Sequence, residues 1–147
     1  MTALALPPVP HLPGQTPRPP EDLFDPLKGG LEGAAPGAVI GSAAFRAGLQ
    51  AYGARYYWEA HELWEAVWMA LPPQSAERVM LRGLIQCANA GLKARMGRGQ
   101  AVARIMALAD AGLAEARLRG AEIGLAPERI RALRDQAAAE GRKKYAV

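Results

Sequence analysis

A single cysteine, Cys87, leaves no internal disulfide framework and fits a reducing compartment. No apolar run approaches the roughly 20 residues that a membrane-crossing helix needs. β-Branched residues are sparse and alanine is abundant, which disfavours strands and favours helices. Only two histidines are present, His11 and His61, so a multi-histidine metal centre lacks ligands. GxSxG, the P-loop and GxGxxG are all missing, and with them the usual signatures of acyl transfer and nucleotide binding. Met1 to Leu6 is mildly apolar but lacks a basic start and runs into prolines, which makes it a poor secretion signal. The expected compartment is the cytoplasm, with no membrane association, no cofactor and no metal.

What is present suffices for one domain with a real core: 147 residues, half of them apolar. The net charge of +4 is uneven. Residues 1–40 carry −2, residues 41–72 carry −1 and residues 73–147 carry +7. A basic half can mark a nucleic-acid or acidic-partner surface, or simply the solvated faces of arginine-rich helices.

Eight of the twelve prolines lie in the first 26 positions, and Gly29, Gly30, Gly33 and Gly37 follow. Proline fixes φ and removes a donor, so residues 1–40 read as an irregular arm without helix, disordered or laid along the body. Leu23, Phe24 and Leu27 are its candidate anchors, and His11 reads as a surface residue. Residues 41–147 form the helical domain. Ser42 caps a first helix over about 43–52, with Phe45, Leu49 and Tyr52 on one face. Gly53 interrupts it. A second helix runs from about Arg55 to Ala70 and stops at Pro72-Pro73. Ser75 caps a third, to about Met96, with Leu81, Leu84, Ile85, Ala88 and Leu92 as its stripe. A fourth covers about 100–119 and a last one about 127–141, opened by Pro127. Short connections make successive helices antiparallel neighbours. The predicted fold is all-α: a compact bundle of about five helices with a Pro/Gly-rich N-terminal arm.

The second helix concentrates the chemistry. Residues 56–68 hold five of the nine aromatic side chains, including all three tryptophans. Trp58, His61, Glu65 and Trp68 fall at offsets of three, seven and ten and share a face, with Glu62 about 100° round from His61. Ionisable groups in such a wall need partners. The third helix offers Arg82, Gln86, Asn89 and Lys93 as a polar stripe, and Gly83 beside it permits close approach of a neighbour. The candidate cluster is His61, Glu62, Glu65, Trp68, Arg82 and Gln86. His61-Glu62-x-x-Glu65 resembles the opening of the zinc-protease pattern, but Glu65 stands where the second histidine belongs and no other histidine lies in the folded body. Cys87, three residues past Leu84, reads as a small core hydrophobe and not as a nucleophile.

Tyr57-x-x-Ala60-His61-Glu62-x-x-Glu65-x-x-Trp68, followed by Leu81-x-Gly83-Leu84-Ile85-Gln86-x-Ala88, resembles the family named domain of unknown function 309. The likeness extends over about residues 43–118. It implies a small all-helical prokaryotic protein, and it implies no established activity, cofactor or ligand. Some members carry a further histidine late in the third helix, where this chain reads Leu92-Lys93-Ala94.

Three functional readings stay open. In the first, the chain is a non-enzymatic association module, with a protein partner or a second copy of itself, and the His61/Glu62/Glu65–Arg82/Gln86 cluster is a buried structural network. In the second, a pocket between the second and third helices binds a small ligand or metal or runs a reaction, with His61 as acid/base, Glu62 or Glu65 orienting it and Arg82 contacting an anion. In the third, Arg117, Arg119, Arg129, Arg131, Arg134, Lys143 and Lys144 contact nucleic acid.

Overall fold

The computed structural model describes residues 4–32 and 34–145. Gly33, one of the arm's glycines, lies outside them, as does Met1. The described residues form helices and connections, without a strand. In chain order the helices are α1 (Asp25–Lys28), α2 (Pro36–Ile40), α3 (Ala43–Gly53), α4 (Tyr57–Ala70), α5 (Ala76–Arg95), α6 (Val102–Leu118) and α7 (Pro127–Gly141), with a 3-10 turn, Gly99–Ala101, before α6.

Local chemistry sets most boundaries. The Ser42 hydroxyl accepts from the Phe45 amide and starts α3, and Ser75 does the same for Arg78 at the start of α5. Leu71 leaves α4 in an extended conformation ahead of Pro72. Between α3 and α4 the chain turns at Arg55, whose φ of 67° is unusual for a side-chain-bearing residue. The expected restart of the helix at Arg55 therefore shifts to Tyr57.

The hub is α5, which packs against α4, α6 and α7. Its buried side chains include Met80, Leu81, Leu84, Cys87, Ala88 and Leu92. Three glycines let neighbours press in. A Cβ on Gly48 of α3 would sit 2.1 Å from Trp64 Nε1, one on Gly91 would sit 2.7 Å from the Tyr57 ring, and one on Gly83 would sit 2.8 Å from Leu113 Cδ2. The close neighbour that Gly83 admits is thus α6, through Leu113. Trp64 is fully buried, with its indole N–H donating to the Phe45 carbonyl at 3.3 Å.

The first forty residues depart from expectation in two ways. They contain two short helices, α1 and α2, because Pro26 and Pro36 stand in first turns, where proline's missing N–H costs nothing. Second, His11 is buried, not on the surface. Its backbone N–H donates to Glu59 Oε2 at 2.9 Å, and its ring meets Trp58 edge-on at 4.8 Å. The Tyr56 hydroxyl donates to the Pro7 carbonyl, and Gln15 reaches the Met96 carbonyl. Phe24, Leu27, Leu31, Val39 and Ile40 belong to the same apolar core as the main helices.

Candidate functional site

On α4, His61 finds its partner within its own helix. Its Nε2 lies 2.8 Å from Glu65 Oε2, one turn on, while Nδ1 stands 3.8 Å from Glu62 Oε1. The three side chains are 24%, 32% and 49% exposed, so the cluster keeps contact with solvent. Nε2 thus has an acidic neighbour on its own helix, while Nδ1 is buried without a hydrogen bond and α5's polar stripe does not reach it. No hydrogen bond or ion pair joins His61, Glu62 or Glu65 to Arg82 or Gln86. The expected buried network is therefore two separate groups, one within α4 and one between α4 and α5.

The second group gathers around Trp68. The Arg78 guanidinium lies 4.1 Å over the Trp68 ring, a cation–π stack that holds a long side chain in place. One turn along α5 comes Arg82, exposed, and one further turn brings Gln86, half-buried. These four side chains line a groove of about 430 Å³. Gly83 and Gly112 line its floor, and Leu108 and Glu115 of α6 form the opposite wall. Neither Arg78 nor Arg82 has an acidic partner among the described residues, and Arg78 Nε is shielded with no hydrogen bond. Glu115, the acid on the rim, pairs with Arg119 at 3.3 Å. Trp68, Arg82 and Gln86 thus come together in a cavity, whereas His61, Glu62 and Glu65 do not line it.

Among the described residues no group of three or more His, Cys, Asp or Glu side chains is placed to hold an ion. Cys87 is fully buried, and burial pushes its thiol up to about 12, so it stays protonated. No helix of the described residues is long and apolar enough to cross a membrane. The basic residues of the C-terminal half are partly spoken for. Arg134 forks onto Asp110 at 2.9 and 3.0 Å, Arg119 pairs with Glu115, and Lys143 stands 3.5 Å from Glu140. Arg117, Arg129, Arg131 and Lys144 have no such partner among the described residues.

Two buried carboxylates escaped the reading of the sequence. Glu59 is fully buried, and burial raises its pKa against the single Oε2 bond from the His11 N–H; Oε1 has no partner. Glu140 is also buried. Burial alone would raise its pKa, but hydrogen bonds from Arg55 and Tyr145 outweigh it and hold the carboxyl at about 2. Arg55 forks onto it at 2.5 and 2.9 Å, and the Tyr145 hydroxyl donates to Oε2. A signal for Glu140 existed: it continues the stripe of Ile130, Leu133 and Ala137 at the next three-residue step.

Residues 45–105 match the family described as domain of unknown function, DUF309. That span runs from α3 into the start of α6 and contains Trp68, Arg78, Arg82 and Gln86. It leaves out the arm, α7 and the Leu108–Glu115 wall. No curated protein and no solved structure matches the chain.

Proposed function

We propose that this chain, which belongs to the DUF309 family over residues 45–105, is a non-enzymatic association module whose α4–α5–α6 groove takes an acidic segment of a protein partner. The observation that supports this is the pair of arginines, one turn apart on α5, opening without acidic partners into a cavity beside Trp68. Guanidinium groups bind carboxylates by parallel N–H···O bonds, and Arg78 loses little freedom on binding because Trp68 already fixes it. Gln86 adds a donor and an acceptor for the partner's backbone. The His61–Glu65 pair serves α4 itself, and the compartment is the cytoplasm.

The test is a titration of the full chain with a short glutamate-rich peptide, read by tryptophan fluorescence, at low and then physiological salt. Saturable binding that weakens with salt is expected. Arg78→Glu and Arg82→Glu should each weaken it by about tenfold or more, close to 1.4 kcal/mol. His61→Ala should leave it unchanged. Loss of binding in His61→Ala would move the site to α4, and tighter binding of an RNA oligonucleotide than of the peptide would favour the nucleic-acid reading.

A further inference from the structure

A second cavity lies on the other flank of α6, between α6 and α7, and occupies about 400 Å³. That falls within the roughly 300–1,000 Å³ typical of small-molecule sites. Met80, Leu113, Leu125 and Ile130 make its base apolar. One end is closed by the connection between the two helices, which turns at Gly120 and Gly124, both in the left-handed region. Toward the other end Arg134 of α7, which also lines the cavity, forks onto Asp110 of α6 with two bonds. Eight helical steps separate Asp110 from the end of α6 at Leu118, about 12 Å at 1.5 Å per residue.

Its rim is cationic in a particular way. Arg134 is neutralised by Asp110 and Asp135. Arg117 on the α6 wall and Arg131 on the α7 wall are exposed and have no acidic partner among the described residues. Glu122, the one acid lining the cavity, stands at the loop end, where its backbone N–H is tied to Glu77. A hydrated inorganic anion gains nothing from the apolar base, and an uncharged chain gains nothing from the two arginines. The shape and charge together suit a short apolar tail with a single anionic head.

We propose that the α6–α7 trough binds an aliphatic carboxylate of medium chain length, its tail on Met80, Leu113, Leu125 and Ile130 and its head between Arg117 and Arg131. This site shares no arginine with the Trp68 groove, so it stands whether or not that groove takes an acidic partner.

Calorimetric titration of the full chain with decanoate, below its micelle concentration, tests it, with decanol and decyltrimethylammonium as controls. One saturable decanoate site is expected, with decanol about tenfold weaker and no binding of the cation. Arg117→Glu with Arg131→Glu should lower decanoate affinity by about tenfold or more at an unchanged thermal midpoint. Should that pair lower the midpoint, Arg117→Gln and Arg131→Gln, which remove charge without adding acid, are expected to give the same loss. Ala114→Phe should abolish binding by filling the trough, and Arg82→Glu should not affect it. No saturable site, equal binding of the cation, decanoate affinity indifferent to Arg117 and Arg131, or binding of an acidic amphipathic peptide where decanoate fails would each overturn the proposal.

Discussion

Replacing Glu140 by glutamine should destabilise the chain by an amount that depends on pH in a defined way. Glu140 is the last inward residue of α7, and its side chain is 2% exposed. It receives the Arg55 fork, the Tyr145 hydroxyl and, at 3.5 Å, Lys143. A carboxyl held at about 2 instead of 4.5 corresponds to roughly 3 kcal/mol of native stabilisation at neutral pH. Arg55 is 39% exposed, so solvent screens part of this, and a loss of about 2 kcal/mol in Glu140→Gln is expected. In a chain of this size that lowers the thermal midpoint by roughly 6–8 °C. Because the folded pKa is depressed, the stabilisation is present above pH 4.5 and is lost as pH falls through about 2. Urea melts of both proteins at a series of pH values measure it. The two stabilities should differ by about 2 kcal/mol at pH 7 and converge toward pH 2. A gap under about 0.5 kcal/mol at neutral pH, or a gap that persists undiminished in acid, would refute the assignment of Glu140 as a paired, ionised, buried carboxylate.

Two further substitutions probe the packing and the arm. Gly48→Ala should cost about 2–3 kcal/mol despite alanine's better helix propensity, because the new methyl lands 2.1 Å from the indole nitrogen of fully buried Trp64; denaturant midpoints and the Trp64 emission maximum should both move. Glu59→Gln should be neutral or stabilising by up to about 1 kcal/mol at pH 7. The raised pKa means that the carboxyl's native contribution is greatest below pH 4.5 and declines as pH rises through the folded value, so the amide variant should flatten that decline in melts between pH 4 and 8, and a steeper decline in the variant would sink the argument.

The helices were legible because their determinants are local. Ser42 and Ser75 cap the residues three ahead of them, Pro72 stops α4, and the stripe of Leu81, Leu84 and Leu92 needs only helical periodicity to be seen. The candidate site was half legible for the same reason. Trp68, Arg82 and Gln86 lie on facing helices and meet in one groove, but Arg78, which stacks on Trp68, sits in the first turn of α5 with no sequence mark of that contact. His61 falls outside: its near acids, Glu62 and Glu65, lie on its own helix, and it does not line the groove. The contacts that stayed hidden are long in sequence: His11 to Glu59 across 48 residues and Arg55 to Glu140 across 85. Nothing in the neighbourhood of His11 says that its backbone N–H covers a buried carboxylate. Likewise, the left-handed turn at Arg55, which sits where that guanidinium reaches α7, leaves no mark beyond the nearby Gly53.

The two cavities flank one contact, and Gly83 sets it. A Cβ there would stand 2.8 Å from Leu113 Cδ2, 2.9 Å from Cγ and 3.3 Å from the Leu113 backbone nitrogen. The side chain's end could rotate away, but the backbone nitrogen can retreat only if α5 and α6 move apart by a few tenths of an ångström. Gly83→Ala should therefore cost about 1–2 kcal/mol net, overpacking outweighing the roughly 1 kcal/mol that alanine gains over glycine in a helix. Gly83 lines the Trp68 groove, and Leu113 lines the α6–α7 trough, so this one methyl should weaken both the glutamate-rich peptide and decanoate. Charge reversals at Arg82 or Arg131 should each weaken only one. Gly112→Ala is the matched control: its nearest contact is 3.7 Å, ordinary van der Waals distance, so it should be neutral or stabilising. If Gly83→Ala proves as stable as the parent and leaves both titrations unchanged, the missing side chain at Gly83 does not fix the α5–α6 approach, and the two cavities do not share a wall in the way their lining residues imply.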